Sequence, residues 1–168
     1  MNCIAAVSSE WGIGKNNGLL FHAAEDMKFF RTMTAGGTLI LGRKTLESFP
    51  GARPLPKRRH LVLTRDGSRQ PEGVEVFHSV PEVLQAAADL PGDQVWVIGG
   101  GEIYKAFLPY CRLAYITRFE QAPEADTFFP DLDASPDWIL EEEGKLRQEG
   151  NLSYRFCIYR NLRISSTE

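Results

Sequence analysis

The stretch VWVIGGGEIY, residues 95–104, joins an apolar run to a helix through three consecutive glycines. Residues 95–98 are apolar and mostly β-branched, which is typical of a buried strand. Residues 102–108 predict a helix that begins directly after the glycines. A strand that runs into a helix is half of a βαβ unit, and such units have parallel strands joined by crossover helices. The stretch therefore favours an α/β fold.

The same alternation of strand and helix continues along the chain on both sides of this stretch. Further buried strands are predicted over residues 3–8, 38–41, 60–64, 74–77 and 113–117. Helices are predicted over residues 25–34 and 43–49, and a third ends at residue 88. The third helix is expected to begin after an N-cap at Ser79, which forms a capping box with Glu82. The segments 9–20 and 50–57 are predicted to be loops, because they are rich in glycine, asparagine or proline.

The end of the chain has a different pattern. Residues 138–146 and 153–160 are two strand-like runs with no helix between them, so they predict an antiparallel hairpin at one edge of the sheet. The predicted fold class is a single α/β domain over residues 1–162. It has a mixed, mostly parallel central sheet with flanking helices and a C-terminal antiparallel hairpin. Residues 163–168 are expected to form a frayed tail.

Composition and charge restrict the classes of function. The 168 residues are 43% hydrophobic and 24% charged, with a formal net charge of −3. This acidic balance disfavours a general nucleic-acid binder, which needs a basic surface. No apolar run of the sequence approaches the ~20 residues that span a membrane, and three scattered cysteines suit a reducing compartment. We therefore expect a cytoplasmic monomer without nucleic-acid or membrane partners.

Asp26 is the most unusual acidic residue of the sequence, because it shares a helix face with apolar residues. It lies four residues before Phe30, and Met27 lies three residues before Phe30, a spacing that places all three on one face. A carboxylate in apolar surroundings has a raised pKa and can hold a ligand that offers paired N–H donors. The simpler hypothesis is that Glu25 and Asp26 only favour the positive N-terminus of the helix. The helix alone favours the simpler hypothesis.

Residues 99–101 have the features of an anion site. Their consecutive backbone N–H groups lie at the start of a helix, an arrangement that suits a pyrophosphate. The spacing is not GxGxxG, so the ordinary Rossmann fingerprint is absent. A turn that is rich in glycine only for packing is an equally good interpretation of these residues.

A second junction of this kind follows the strand over residues 38–41, where Gly42 precedes two cations. If neighbouring strands lie side by side, Arg43, Thr64 and Arg65 meet at the carboxyl ends of the strands, where ligands bind in α/β sheets. Such a cluster suits a phosphate monoester like that of NADP. The alternative is that these arginines are solvated surface residues.

Residues 53–59 place four cations in a loop that two prolines stiffen. Arginine can bind a carboxylate through two parallel hydrogen bonds, so this loop is a candidate for carboxylate capture. A solvated basic loop is the alternative. The cysteines and histidines have no metal-ligand spacing, so no metal is expected, and the histidines are expected to be structural or solvated.

Taken together, these segments resemble dihydrofolate reductase from about residue 3 to residue 160. Each segment is weak alone, but their order and spacing over a whole domain are specific. The resemblance implies the fold of that family and the NADPH-dependent reduction of 7,8-dihydrofolate to 5,6,7,8-tetrahydrofolate. The matching segments are, in chain order, Ile4-Ala5-Ala6, Gly12-Ile13-Gly14, Asp26 with Phe30, residues 42–48, residues 53–56, residues 97–101 followed by Tyr104, Thr117, and Asp126-Thr127 before Phe129-Pro130.

On the substrate side, the resemblance implies that Asp26 bonds the amino group and a ring nitrogen of the pterin. The acid then promotes protonation at N5 while hydride goes to C6, which suits the chemistry of a C=N bond. Thr117 is implied to support this carboxylate, and Phe21 is placed in the same catalytic group. Arg58 is implied to bind the α-carboxylate of the substrate. The other implied substrate-binding residues are Ile4, Ala5, Met27, Phe30, Arg31, Leu55 and Ile98.

On the cofactor side, the resemblance implies an NADPH site, a mobile lid over residues 9–20 and a cis peptide between Gly99 and Gly100. Antifolate inhibitors are implied as further ligands. The nicotinamide is implied to lie against Ala6, Ile13 and Tyr104, the 2′-phosphate against Arg43, Thr64 and Arg65, and the pyrophosphate against Thr45, Gly100 and Gly101. The implied cofactor-binding set also contains Gly14, Leu19, Gly42, Lys44, Leu63, Gly99, Glu102, Ile103 and Thr127.

The sequence departs from the family pattern just before Asp26. That stretch usually reads Pro-Trp with another proline soon after, and here residues 20–24 read LFHAA. Phe21 keeps an apolar wall but has no indole N–H to hold a water near the carboxylate. The loss of both prolines is expected to loosen the entry to the helix. Glu102 brings no positive charge to the glycine turn, and Ala125 stands where the family often has glycine.

Two other functions share parts of this pattern. A pyrimidine reductase of riboflavin synthesis has the same fold but little reason to keep Asp26, Phe30 and Arg58 together. A non-catalytic NADPH-binding or pterin-binding module could keep Arg43 and the glycine turn, but it would not need a carboxylate in the pocket. The sequence therefore favours the enzyme.

Overall fold

The computed structural model describes residues 1–67 and 71–164, and within them the chain forms a central sheet with helices around it. The strands are β1 (Asn2–Val7), β2 (Gly12–Lys15), β3 (Gly18–Leu19), β4 (Thr38–Gly42), β5 (Arg59–Leu63), β6 (Glu75–Phe77), β7 (Val95–Gly99), β8 (Leu113–Phe119), β9 (Thr127–Phe128), β10 (Trp138–Glu143), β11 (Arg147–Glu149) and β12 (Leu152–Asn161). The helices are α1 (Ala24–Thr34), α2 (Arg43–Ser48), α3 (Val80–Ala87) and α4 (Gly101–Phe107).

The central sheet has the order β10-β12-β8-β1-β7-β4-β5-β6, and β11 also pairs with β12. The five pairings among β8, β1, β7, β4, β5 and β6 are parallel, whereas β12 is antiparallel to β8, β10 and β11. The predicted fold class, a mixed and mostly parallel sheet with a C-terminal antiparallel hairpin, is confirmed. The inner strands are apolar on both faces because helices cover both sides of a parallel sheet, and β4 is buried at every position.

The prediction that residues 9–20 form only a loop was wrong. The short strands β2, β3 and β9 form a separate three-stranded sheet in the order β3-β2-β9. Asn16 and Asn17 connect β2 to β3 with φ angles of +51° and +59°, which is the backbone that a two-residue hairpin turn requires and that asparagine tolerates. These strands were not predicted because β2 has the sequence GIGK, which shows no alternation of apolar and polar residues, and β3 has only two residues.

The C-terminal strand predicted over residues 138–146 is shorter than expected, and an additional strand, β11, follows it over Arg147–Glu149. β10 ends before Gly144, where an added Cβ would lie 2.7 Å from the carbonyl oxygen of Phe156. The backbone therefore passes too close to β12 for any residue with a side chain, and the chain bends before β11 begins. Both β10 and β11 pair with β12.

The N-cap predicted at Ser79 is present, but the Glu82 side chain bonds a different backbone N–H from the one that a capping box uses. The Ser79 hydroxyl accepts from the Glu82 N–H at 3.3 Å. The Glu82 carboxylate accepts from the N–H of His78 at 3.1 Å, one residue before the N-cap position that a capping box uses.

The last described residues are held by polar contacts. The Arg163 N–H donates to the Asn161 side chain at 3.0 Å, and its guanidinium donates to Asp137 at 2.7 Å. Residues 165–168 of the predicted tail lie outside the described residues. Over the described ranges, no helix is both long and apolar enough to cross a membrane.

Candidate functional site

A cleft opens where β1 and β7 separate. Their parallel pairing stops at Cys3 and Val97, although β1 continues beside β8 as far as Val7. The segments beyond the last pair, Ala5-Ala6 on one side and Ile98 to Gly100 on the other, therefore face each other across open space. The cleft is lined by Ala5, Ala6, Ile13, Gly14, Asn17, Gly18, Leu19, Thr45, Ser48, Ile98, Gly100, Tyr104 and Thr127.

The predicted acid lies beside this cleft. Asp26 is half-buried in the first turn of α1, and its carboxylate accepts from the Thr117 hydroxyl at 2.7 Å. Thr117 pairs in register with Ala6, which lines the cleft. Burial raises the pKa of Asp26, the Thr117 hydrogen bond opposes this rise and the charge of Glu149 adds to it. The carboxyl can therefore carry a proton at a higher pH than an exposed one.

Phe21 is buried under the entry to α1. Its ring stacks on Phe119 with centroids 4.0 Å apart and planes at 5°, and Tyr154 packs against Phe119 in the same cluster. The aromatic wall expected from the sequence is thus present, and stacking fixes the position of Phe21.

Four of the six predicted apolar substrate residues come together in one cluster, whereas Ala5 packs against another. Ile4, Phe30, Leu55 and Ile98 belong to a single hydrophobic cluster. Met27 is 44% exposed, at the edge of the site. The Ile4 carbonyl already accepts from the buried Tyr104 hydroxyl at 2.7 Å, and because a carbonyl oxygen has two lone pairs, one acceptor position is left.

Arg58 is held in place by three acceptors. Its Nε donates to the Thr34 hydroxyl at 3.0 Å, and its terminal nitrogens donate to the carbonyls of Pro56 and Arg31 at 2.9 and 3.2 Å. Burial lowers the pKa of Arg58, and the charge of Arg31 lowers it further. A guanidinium has five N–H donors, so one N–H on each terminal nitrogen is left for a ligand. Arg31 takes part through its carbonyl, and its side chain is exposed.

His60 is a positioning residue that the sequence did not single out. Its Nε2 accepts from the Leu55 N–H at 3.0 Å, and its Nδ1 lies 3.0 Å from the Arg58 carbonyl. Only the neutral ring protonated at Nδ1 satisfies both contacts. Burial lowers the pKa of His60, which favours this neutral form. The imidazole, which lies on β5, thus connects this strand to the loop that contains Leu55.

The glycine turn is shaped by close contacts. Gly99 has φ +115°, and an added Cβ would lie 3.0 Å from the Tyr104 ring; the Gly99–Gly100 peptide is cis, as the resemblance implies. An added Cβ on Gly101 would lie 3.0 Å from Thr127 and 3.2 Å from the Phe128 carbonyl oxygen. Each glycine therefore lets the backbone approach a neighbour that a side chain would displace.

The predicted phosphate-binding residues lie side by side. Gly42 pairs with Leu63 in parallel register, so Arg43 and Thr64 follow at adjacent strand ends. Arg43 donates to Glu47 at 2.7 Å on an exposed helix face, and Lys44 and Arg65 are also exposed.

Ten of the eighteen predicted cofactor residues, Glu102 and Ile103 among them, are not among the residues that line the cleft, and three cleft residues were missed. Ile103 is buried and would contact any Cβ placed on Gly42, and Glu102 is exposed. Ser48 was missed although it lies three residues after Thr45, whose carbonyl accepts from the Ser48 hydroxyl at 2.6 Å; that spacing was an available signal. The other missed cleft residues are Asn17 and Gly18 of the β2–β3 hairpin.

The turn of the β2–β3 hairpin, inside the lid predicted over residues 9–20, contacts segments on two sides. The Asn16 N–H donates to Asp126 at 2.9 Å, and Lys15 pairs with Glu124 at 2.8 Å. On the other side, the Asn17 amide donates to the Lys44 carbonyl at 3.0 Å. The hairpin therefore bridges the segment before β9 and the first turn of α2.

Ala125 restricts how this hairpin packs. An added Cβ on Gly12 would lie 2.7 Å from the Ala125 Cβ and 3.0 Å from the Ser8 hydroxyl. The family often has glycine at position 125. Here the Ala125 methyl group fits because Gly12 opposite it has no side chain.

The fold and this site define a class, an α/β oxidoreductase with a nucleotide cleft at the strand ends and a half-buried carboxylate beside it. The family model for dihydrofolate reductase matches residues 1–162. The dihydrofolate reductase of Heliothis virescens is 35% identical, over 96% of this chain and 97% of its own length. That of Staphylococcus aureus strain Mu50 is 38% identical, over 86% and 87%.

A solved structure agrees with these matches. The dihydrofolate reductase from Enterococcus faecalis, complexed with NADP(H) and RAB-propyl, superposes with a TM-score of 0.83 and 37% identity, covering 95% of each chain. This chain belongs to the dihydrofolate reductase family.

Gly99→Ala should lower the free energy of unfolding by about 2–4 kcal/mol, because it combines an unfavourable φ with overlap of the Tyr104 ring. The matched control is Gly36→Ala. Gly36 has φ +71° but nothing within 4 Å of an added Cβ, so this change should cost about 1–2 kcal/mol. Urea unfolding of both variants measures the difference, and equal losses would contradict the role given to the Tyr104 contact.

Proposed function

We propose that this chain reduces 7,8-dihydrofolate to 5,6,7,8-tetrahydrofolate with NADPH. The observation that carries the proposal is the half-buried Asp26 carboxyl, which has a raised pKa and a hydrogen bond to Thr117, next to a nucleotide cleft. Such a carboxyl can hold the amino group and ring nitrogen of a pterin and favour a proton at N5. A C=N bond accepts hydride at C6 more readily once its nitrogen is protonated.

The proposed substrate position extends from Asp26 to Arg58. The pterin would lie against the apolar cluster that contains Ile4, Phe30 and Ile98, and the free acceptor position of the Ile4 carbonyl would receive a pterin N–H. The glutamate end would reach Arg58, whose two free N–H groups suit a carboxylate. The other proposed contacts are Ala5, Met27, Arg31 and Leu55.

The residues of the cleft fit NADPH. Gly100 and Thr45 both line the cleft, and an added Cβ on Gly100 would lie 3.6 Å from the Thr45 hydroxyl. This cradle suits a pyrophosphate, and Arg43, Thr64 and Arg65 would hold a 2′-phosphate. Tyr104 and Ala6 would position the nicotinamide near Asp26. When bound, NADPH supplies the hydride.

The alternatives have less support. A pyrimidine reductase would not need Asp26, Phe30 and Arg58 in one arrangement, and the matched relatives are named dihydrofolate reductases. A non-catalytic module would not need to keep a carboxyl in apolar surroundings, where it destabilises the fold. Binding of antifolates in the same pocket, a cytoplasmic location and a monomeric state remain our predictions.

Asp26→Asn should slow hydride transfer at neutral pH by roughly 10²-fold or more, because an amide cannot favour the proton at N5. The loss should shrink at low pH, where solvent can protonate the substrate. The measurement is single-turnover NADPH oxidation with dihydrofolate between pH 5 and pH 9. Glu25→Gln is the matched control, because it removes the neighbouring exposed acid. Equal pH profiles for Asp26→Asn and the native chain would contradict the assigned role.

Arg58→Leu should weaken dihydrofolate binding by roughly 10- to 100-fold, because a charged hydrogen bond to a carboxylate contributes about 1.5–3 kcal/mol. Fluorescence titration measures the dissociation constant. Dihydropteroate, which lacks the glutamate, is the matched ligand and should bind both proteins equally. NADPH affinity should also stay unchanged. If dihydropteroate binding fell as far as dihydrofolate binding, Arg58 would act on the fold of the pocket and not on the carboxylate.

Arg43→Gln and Arg65→Gln should each reduce the preference for NADPH over NADH by roughly tenfold, because each removes a cation proposed to face the 2′-phosphate. The ratio of kcat/KM values for the two cofactors measures this preference. Lys145→Gln removes an equal charge from an exposed position and should leave the ratio unchanged. An unaltered ratio in both arginine variants would remove these residues from the phosphate site.

A further inference from the structure

The N-terminus of α1, which carries Asp26, has no cap of its own. Its N-cap residue is Ala23, whose methyl group cannot accept a hydrogen bond. The first N–H groups of a helix have no partner within the helix, so they need acceptors from elsewhere. At this end of α1 the acceptor comes from a residue more than a hundred positions away in the sequence.

Glu149 supplies that acceptor. One of its carboxylate oxygens accepts from the Ala24 N–H at 2.7 Å, and the other accepts from the Glu25 N–H at 3.3 Å. Glu149 is half-buried. It is the last residue of β11 and pairs with Leu152 across a tight turn in which Gly150 has φ +59°. The C-terminal hairpin therefore holds a carboxylate against the start of the catalytic helix.

The charge of Glu149 and the positive end of the helix have opposite effects on the pKa of Asp26. The positive end of a helix stabilises a carboxylate in its first turn and so favours the ionised acid. A second carboxylate at the same helix end offsets that field. Burial is the main cause of the raised pKa of Asp26, and the charge of Glu149 raises it further, against the hydrogen bond from Thr117.

Other charged and titratable groups also lie around Asp26. Glu25 and Lys28 are exposed on α1, and His22 is exposed just before it. Arg147 lies over the Phe156 ring on the same hairpin as Glu149. Among the described residues, the hydroxyls of Tyr104 on α4 and Tyr154 on β12 also interact electrostatically with Asp26.

We infer that Glu149 is a positioning residue for the proposed reaction: its carboxylate closes the N-terminus of α1 and supplies a negative charge that favours the protonated form of Asp26. This inference rests on the proposed function. A residue of the C-terminal hairpin thus takes part in proton delivery without touching the substrate.

The test compares three variants by single-turnover hydride transfer across pH. Glu149→Gln removes the charge and keeps one acceptor oxygen. Ala24→Pro removes the N–H donor and keeps the charge; proline is tolerated at the first position of a helix, and Ala23 already has the extended backbone that precedes proline, with φ −107° and ψ 126°. Glu142→Gln removes an equal charge from an exposed position on β10.

Glu149→Gln should shift the apparent pKa for hydride transfer downward, so that the rate above this pKa falls roughly two- to fourfold while the acidic plateau stays unchanged. Ala24→Pro and Glu142→Gln should keep the native profile. Higher salt should reduce the difference between Glu149→Gln and the native chain, because salt screens charges near the surface.

A Glu149→Gln profile that superposes on the native one would overturn the inference. So would an equal shift in Ala24→Pro, because the effect would then come from the hydrogen bond and not from the charge. Failure of the proposed function is a separate result, since the native chain would then not oxidise NADPH with dihydrofolate at any pH.

Discussion

The hydrogen bond between Thr117 and Asp26 joins α1 to the middle of the sheet. Thr117 lies on β8, which is paired along its length with β1 on one side and β12 on the other. Asp26 lies on a helix whose N-cap residue offers no side-chain cap and whose first N–H groups donate instead to Glu149 on β11. The sheet therefore fixes the position of the acid. This contact lies beside the point where β1 leaves β7, so one local arrangement creates both the cleft and its acid.

The proposed substrate site depends on polar groups that already have hydrogen-bond partners within the protein. Arg58 donates three of its N–H groups to acceptors within the protein. Its own carbonyl lies 3.0 Å from Nδ1 of His60, and Nε2 of the same ring accepts from the Leu55 N–H. A long cation held in this way loses little further freedom when it binds a carboxylate. The neutral state of His60 is part of the same arrangement, because a protonated ring could no longer accept from Leu55.

Much of the fold could be predicted from the sequence, because buried parallel strands are continuous apolar runs and the helices follow them directly. The site could be predicted only from the order of several weak motifs, since the helix alone favours the simpler interpretation of Asp26 as a helix-end acid. The β2–β3 hairpin and the contacts of His60 and Glu149 could not be predicted. They join residues that are distant in the sequence or lie in strands too short for a periodic pattern, and only tertiary packing brings them together.

The raised pKa of Asp26 also has a thermodynamic consequence. Between the ordinary pKa of a carboxyl and the raised one, the folded chain binds more protons than the unfolded chain, so stability falls as pH rises through that window. Above that window the folded state therefore carries the unfavourable effect of an ionised carboxylate in apolar surroundings. The extensive pairing of β8 and β12 supplies stability close to this point. The same burial that makes Asp26 a useful acid makes its surroundings less stable, and the neighbouring strands offset that loss.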